Sequence, residues 1–279
     1  MVILEACLKY ISLLFLFSFN SSVATESVAK TTPAMQTQCR EEIVRNVGKH
    51  FHLDYFSHPT NGFYPSIENG GLIYSSTCKA FPNNKSIIIS AFAYDAGIES
   101  EKELIVALLD ASNNKVLNSY KEAISEDAVT QINENSLTLD TAKYSLSENT
   151  RAFGVRINGF LDRCGYEGGY DDQLILFIIN GNKLKPILSE TMYHWRYTSE
   201  NRCNGEDPPK IYANTIISIE KTSSHGFSDL RISAISNSKL KPPSIVIKFN
   251  GHDYDMTPWQ HEFDSWWDKA FAKHGELSP

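Results

Sequence analysis

The chain lacks the features that mark several large classes of protein. Its 26 basic residues are outnumbered by 33 acidic ones, giving a formal net charge of −7. It therefore has no general excess of positive charge for binding nucleic acid or for docking on anionic lipid. It contains neither the Gly-x-Ser-x-Gly motif of a nucleophile elbow nor a glycine-rich phosphate loop. No internal repeat of fixed period is present, which argues against a regular propeller.

Long apolar runs are scarce, and one of them lies near the start of the chain. Residues 1–24 have the pattern of a secretion signal, with Lys9 before an apolar stretch at 10–19 and small residues at 22–24. The pattern predicts cleavage after Ala24. An uncleaved anchor is the alternative, although the stretch is shorter than the roughly 20 residues of a membrane-spanning helix. No other segment is apolar for long enough to span a membrane.

Cysteine is also scarce, with five residues in the chain. Cys7 falls within the predicted signal, and four cysteines follow it: Cys39, Cys78, Cys164 and Cys203. An even number in an exported chain predicts two disulfides. Of the three possible pairings, the two clusters in the sequence favour Cys39–Cys78 and Cys164–Cys203. None of these pairs has the short spacing of a zinc knuckle, so we predict no metal bound by cysteine.

Hydrophobic periodicity predicts one exported β-rich domain over 38–279, after a flexible leader at 25–37. Residues 38–51 carry apolar side chains at helical spacing, which predicts a short N-terminal helix. From Leu72 the period changes to two, with strands such as Leu72–Phe81 and Lys183–Tyr197 separated by Asn- and Gly-containing turns. About 11–12 such strands predict a mainly β fold of antiparallel sandwich or barrel-like sheets.

The C-terminal part has its own turn and helix signals. Asn250-Gly251 predicts a tight hairpin. Beyond it, Thr257 as N-cap, Pro258 at the first helical position and Gln260 in a capping box predict an amphipathic helix. Its apolar stripe comprises Trp259, Phe263, Trp266, Ala270 and Phe271, with Trp267 beside it. We expect the stripe to pack on the sheet, and docking to a partner is the alternative.

Acidic, glycine-rich and aromatic residues between the last two cysteines suggest where a ligand would bind. The candidate ligand-binding residues are Asp162, Glu167, Asp171, Asp172, His194, Trp195 and Arg196. Side chains alternate along a strand, so Tyr193, Trp195 and Tyr197 are expected on one face and His194 and Arg196 on the other. Core packing of the aromatic face is the favoured interpretation, and stacking on sugar or peptide is the alternative.

Two other patterns suggest metal binding only weakly. His50-x-His52-x-Asp54 resembles part of the metallo-β-lactamase signature, but Tyr55 stands where that signature has another histidine. The acidic segment 162–172 has carboxylates suited to calcium, but their order matches no EF-hand loop. We therefore predict no metal and no cofactor, and catalytic residues stay unassigned.

These observations favour a periplasmic or secreted protein that acts without catalysis. The leading hypothesis is a binding or structural protein of the cell envelope, with an envelope or extracellular ligand, no nucleic acid and no integral membrane span once the signal is cleaved. The alternative is an envelope hydrolase acting on glycan or peptide through carboxylates of 162–172. Carboxylates sharing a pocket with His194 and Arg196 would favour the enzyme, because hydrolysis needs facing acid and base groups.

Overall fold

The structure, a computed structural model, describes residues 38–53, 71–161, 167–198 and 209–275. Within these residues the elements, in chain order, are α1 (Glu41–His50), β1 (Leu72–Phe81), β2 (Asn84–Asp95), β3 (Glu101–Asp110), β4 (Val116–Ser125), β5 (Leu137–Ser145), β6 (Arg151–Ile157), β7 (Gly168–Asn180), β8 (Lys183–Tyr197), β9 (Lys210–Ser224), β10 (Phe227–Ser236), β11 (Ser244–Ile247) and α2 (Thr257–Gly275). The predicted mainly β fold with a helix near each end is confirmed. Neither described helix contains a stretch long and apolar enough to cross a membrane.

Two antiparallel four-stranded meanders, β1–β4 and β5–β8, enclose the central core. Their order in the mixed sheet is β1-β2-β3-β4-β8-β7-β6-β5, and the β4–β8 pairing is parallel. Inward-facing side chains of both meanders pack together, and the rings of Phe153 and Phe177 stack with centroids 5.7 Å apart. Ser75 Oγ on β1 accepts a hydrogen bond from Leu137 N–H at the start of β5 (3.0 Å), which brings the two ends of the sheet together.

Helix α1 covers the outer face of the first meander. Its buried side chains, Ile43, Val44 and Val47, pack with outward-facing residues of β1–β3. Cys39, just before the helix, forms a disulfide with Cys78 on β1, as the sequence predicts. The disulfide fixes the start of α1 against the sheet. Cys164 and Cys203 lie outside the described residues, so their pairing stays a prediction.

Helix α2 covers the outer face of the second meander. The end of β8 pairs with β9 through residues 193–197, and β9–β10–β11 extend this face. The stripe of α2 contributes five buried side chains to the resulting core: Trp259, Phe263, Trp266, Trp267 and Ala270. The predicted packing of the stripe against the sheet is confirmed.

The predicted capping box of α2 is wrong. The helix begins at Thr257, whose N–H donates to Asp255 Oδ1 (3.0 Å), and Gln260 N–H donates to Met256 O (3.0 Å). The Gln260 side chain donates to Glu190 Oε2 on β8 (3.1 Å) instead of returning to its own helix. The Gln260 side chain, which a capping box would have bonded to the start of its own helix, therefore bonds to Glu190 on another element.

The predicted hairpin around Asn250-Gly251 is reduced to a turn. β11 ends earlier and pairs with β10, and only a single bridge joins Phe249 and Tyr254. Asn250 Oδ1 accepts hydrogen bonds from the N–H groups of His252 (2.7 Å) and Asp253 (2.9 Å). The asparagine side chain closes this turn, so a longer strand pair is not required.

Gly168 and Gly169, which belong to the glycine-rich stretch between the last two cysteines, lie in strand β7. A Cβ atom at Gly168 would lie 2.5 Å from Trp195 O, and one at Gly169 would lie 2.5 Å from the Phe160 ring. These positions need glycine because a backbone and an aromatic ring approach them closely. Sequence alone does not distinguish this requirement from the flexibility of a loop.

Candidate ligand-binding cleft

An opening between β4 and β8 leads to a cleft of about 570 Å³. The two strands pair at one position, where Ser119 lies opposite Lys183. Beyond it, residues 120–125 of β4 and 184–192 of β8 have no strand partner on their facing sides within the described part of the chain. The other edges of the two strands are paired with β3 and β7. The cleft is in the size range of small-molecule and peptide-anchor sites.

The cleft is lined by both apolar and polar side chains, and its charged side chains are all acidic. Three carboxylates line it, from Glu122, Asp127 and Asp171, and the described lining contains no Lys, Arg or His. The apolar lining residues include Ile124, Ile157, Phe160, Ile175 and Pro186. Hydroxyl and amide groups come from Ser125, Thr130, Gln173, Ser189 and Thr191. The site therefore suits a ligand with donors or positive charge and excludes one with strong negative charge.

A tyrosine–glutamate pair forms part of the β4 wall. The Tyr120 hydroxyl donates a short hydrogen bond to Glu122 Oε2, and its ring meets Phe177 edge-on with centroids 5.0 Å apart. Burial and the neighbouring carboxylate raise the pKa of Tyr120, so the phenol stays protonated at neutral pH. The bond fixes the Glu122 carboxylate in the wall of the cleft.

The other two carboxylates each hold a backbone segment with one oxygen. Asp171 Oδ1 accepts a hydrogen bond from Gly159 N–H (3.0 Å). Asp127 Oδ1 accepts from the N–H groups of Val129 (2.8 Å) and Thr130 (2.7 Å), which hold its pKa below the usual range. Asp127 is therefore ionised at neutral pH. Each carboxylate supports the local chain and still presents a negative charge at the cleft.

The predicted ligand-binding residues of β8 lie on two opposite faces. Trp195 is 6% exposed, meets the Phe160 ring edge-on (4.4 Å) and stacks on Tyr193 (5.3 Å). This arrangement confirms the expected shared face of Tyr193 and Trp195 and the packing of the tryptophan ring. Phe160 lines the cleft, so Trp195 and Tyr193 pack behind one of its lining residues.

His194 and Arg196 face α2, away from the cleft lining. The His194 ring lies 4.7 Å from the Phe263 ring, centroid to centroid. The Arg196 guanidinium lies 4.6 Å from the centre of the Phe271 ring and 3.9 Å from Asp268 Oδ1. Neighbouring residues on a strand point to opposite faces, which separates these two side chains from Trp195.

Asp171 and Asp172 are separated in the same way. Asp172 has a positive φ of 60°, and its Oδ2 accepts a short ion-paired hydrogen bond (2.5 Å) from Arg156 on β6. Arg156 also binds Asp140 Oδ2 (2.8 Å), so two carboxylates share one guanidinium. Burial raises the pKa of Asp172, and Arg156 opposes that shift. Glu167 lies at the start of the described segment, and Asp162 lies outside the described residues.

Glu190 is a titratable group that the sequence analysis did not single out. It is 6% exposed, and it accepts hydrogen bonds from the Gln260 side chain (3.1 Å) and from Thr191 N–H (3.2 Å). Burial raises its pKa to about 7. The available signal was its position between Leu188 and Met192, since all three side chains share one otherwise apolar face.

His194 lies four residues further along the same buried face. Desolvation lowers its pKa to about 4, so the imidazole is neutral at physiological pH. Its Nδ1 is buried and has no hydrogen-bond partner among the described residues. Glu190 is therefore buried beneath α2 and His194 is partly buried against Phe263, and neither side chain lines the cleft.

A second cavity, of about 670 Å³, contains a buried lysine. Lys102 Nζ lies 2.8 Å from Glu126 Oε2 and 3.4 Å from Asp95 Oδ2. Burial alone would lower the pKa of Lys102, but these carboxylates outweigh that effect and the pKa is raised. The acids also accept hydrogen bonds from Ile132 N–H and Gly97 N–H. Lys102 is thus protonated, and its ion pairs link the end of β2 to the segment that follows β4.

Among the described residues, no group of three or more His, Cys, Asp or Glu side chains is placed to hold a metal ion. Comparisons with protein-family models, curated proteins and solved structures found no match for this chain. The candidate site is therefore defined by its geometry: a cleft with acidic and aromatic groups between two strand edges of the mixed β sheet.

Proposed function

We propose that the chain is an exported binding protein of the cell envelope, periplasmic or secreted, whose ligand occupies the cleft between β4 and β8. One observation carries the proposal. Polar and charged groups of β4, β7 and β8 line an open cleft, while the strongly perturbed groups Glu190 and His194 are covered by α2. An accessible, largely preformed cavity with a few polar groups is the usual form of a binding site.

Export is supported by two independent features. The first 24 residues have the charge and apolar pattern of a secretion signal. The Cys39–Cys78 disulfide is of the kind that persists in oxidising compartments and is rare in the cytosol.

Binding is favoured over hydrolysis by the placement of the predicted acids. Hydrolysis through the carboxylates of 162–172 would need two of these acids to face one ligand. Asp171 and Asp172 instead engage different partners, Gly159 N–H and the Arg156 guanidinium. His194, the neighbouring base that would have supported an acid–base pair, packs against Phe263 under α2.

Filling the cleft tests the proposal. Gln173 is exposed in the cleft and donates to Ser189 Oγ (3.0 Å), so Gln173→Trp would place an indole among the lining residues. On arrays of peptides and of envelope glycans, we expect the parent protein to retain specific ligands and Gln173→Trp to lose at least about tenfold in affinity. The affinities would be measured by titration calorimetry.

Glu148→Trp is the matched control, because Glu148 is exposed and lies outside the cleft. It introduces the same ring and should bind as the parent does. Circular dichroism and thermal melting establish that both variants are folded. Absence of any specific ligand, or equal binding by folded Gln173→Trp, would refute the proposal.

A further inference from the structure

We infer that the ligand of the cleft is an extended polypeptide segment carrying basic side chains, which adds a strand to the open edge of β4. This inference rests on the proposed function and specifies its ligand. It is carried by the backbone edge that borders the cleft and by the charges that line it.

The edge of β4 at 120–125 is suited to strand addition. Its partner on one side is β3, and within the described residues no strand pairs with its other side beyond Ser119. Backbone N–H and C=O groups alternate between the two edges of a strand, so about half of these residues direct theirs towards the opening. Proteins commonly protect such edges with lysine or proline. The one basic residue in 120–125, Lys121, pairs instead with Glu103 Oε1 (2.7 Å) and does not line the cleft.

The facing edge of β8 is a poorer acceptor. Ile187 O already accepts a hydrogen bond from Tyr254 N–H (2.8 Å), and Thr191 N–H donates to Glu190 Oε1 (3.2 Å). Pro186 has no N–H to offer. These interactions leave β4 as the edge with the longer row of available backbone groups.

The acidic lining of the cleft favours basic side chains on the added strand. Glu122, Asp127 and Asp171 line the cleft, and none of them has an ion pair among the described residues. Side chains on one face of an added strand recur every two residues, about 6.6–6.8 Å apart. Basic residues at alternate positions would therefore lie on the acidic side while the intervening residues face outwards. A neutral sugar would not need three carboxylates, and an acidic segment would be repelled.

Short blocked peptides test the charge requirement on the full mature protein. One probe alternates Lys and Thr, a second alternates Glu and Thr, and a chitin hexasaccharide represents a neutral glycan. We expect the Lys–Thr peptide to bind at least about tenfold more tightly than either other probe, and added salt to weaken its binding. Calorimetry measures each dissociation constant. Equal binding of the Lys–Thr and Glu–Thr peptides would overturn the inference.

Conservative variants locate the contact. Glu122→Gln and Asp127→Asn remove one charge each but keep an oxygen for their internal hydrogen bonds. Each should weaken the Lys–Thr peptide about three- to tenfold. Glu148→Gln makes the same charge change on an exposed residue outside the cleft and should leave affinity unchanged. An equal loss in all three variants would mean that only net charge matters and would contradict the assigned site.

N-methylation tests the strand geometry. Methylating alternate amides of the Lys–Thr peptide removes the donors of one edge, and shifting the pattern by one residue removes those of the other. Strand addition predicts that one pattern abolishes binding and the other preserves it. Equal affinity of the two methylated peptides would refute it.

The outcomes also separate this inference from the proposed function. If the hexasaccharide binds in a way that Gln173→Trp abolishes and neither peptide binds, the cleft is a ligand site but the polypeptide assignment is wrong. If the peptides and arrays yield no ligand sensitive to Gln173→Trp, both proposals fail.

Discussion

The two faces of the β7–β8 ladder carry similar residue types in opposite surroundings. On the α2 face, Glu190 accepts a hydrogen bond from Gln260 of the helix, and the His194 ring packs against Phe263. On the cleft face, Asp171, Gln173 and Ser189 line an open space. The strands are the same, so the difference arises from what covers each face.

This contrast shows that a strongly shifted pKa can arise in a residue covered by a packed helix, away from the candidate cleft. Burial raises the pKa of Glu190 to about 7 and lowers that of His194 to about 4. Such shifts are common at active sites, but desolvation beneath a packed helix produces them as well. In this protein accessibility, rather than the size of the shift, distinguishes the two faces.

The largest loss of stability should come from truncating a side chain through which α2 packs on the sheet. Trp259 is 1% exposed and packs against Phe263 with ring centroids 5.4 Å apart. Trp259→Ala should lower the free energy of unfolding by about 3–5 kcal/mol, because it removes a large buried ring and leaves a cavity. Equilibrium denaturation measures the change.

Tyr170→Ala is the aromatic control for that prediction. Tyr170 is 61% exposed, and its ring lies 6.5 Å from that of His194. Its removal should change the free energy of unfolding by no more than about 0.5 kcal/mol. Equal losses in the two variants would show that α2 does not stabilise its face as described.

An intermediate, pH-dependent effect is expected at Glu190. Its folded pKa, about 7, lies above its ordinary value of 4.5, so between these values the folded state holds a proton that the unfolded state has lost. Stability therefore falls as pH rises through this window. Glu190→Gln keeps an amide oxygen for Gln260 and removes the buried charge. Its stability relative to the parent should increase through this window, reaching a gain of on the order of 2–3 kcal/mol above pH 7.

Denaturation at several pH values between 4.5 and 8 measures this difference. Asp264 on α2 raises the Glu190 pKa slightly, and His194 on the same face stays neutral above its own pKa of about 4. The change is therefore assigned to Glu190. A stability difference that does not vary with pH would contradict the assignment, and exposed Glu148→Gln supplies the baseline.

The smallest effect on stability is expected in the cleft. Gln173→Ala removes an exposed hydrogen bond to Ser189 Oγ and should change the free energy of unfolding by no more than about 0.5 kcal/mol. A loss comparable to that of Trp259→Ala would show that the cleft face is part of the core and would remove the contrast between the faces.

Local patterns predicted many elements because the signals were confined to neighbouring residues. Alternation defined Leu72–Phe81 and Lys183–Tyr197 with the bounds that the structure has. The α2 stripe was predicted from helical spacing, but its capping box was not formed because Gln260 found a partner on another element. The need for glycine at 168 and 169 could not be predicted, because the groups that approach them closely, Trp195 and Phe160, are not adjacent to them in the sequence.

The candidate site was predicted only in part. Asp171 does line the cleft, but Glu122 and Asp127 were not singled out because they come from β4 and its following connection, distant in sequence from β7. His194 and Arg196 were grouped with the acids by proximity in sequence, although alternation along β8 directs them to α2. A cleft between two strands that are far apart in the sequence leaves no local pattern in either strand.

The sequence by itself determined the strand and helix pattern, the amphipathic face of α2 and the cysteines available for disulfides, because these depend on residue spacing and composition. The tertiary structure decided which edges stay open, which acids gather at one cleft and which titratable groups lie beneath α2. The physical reason is that exposure and backbone pairing depend on every element packed nearby. Local periodicity gives the direction of a side chain, whereas the environment it enters is set by distant parts of the chain.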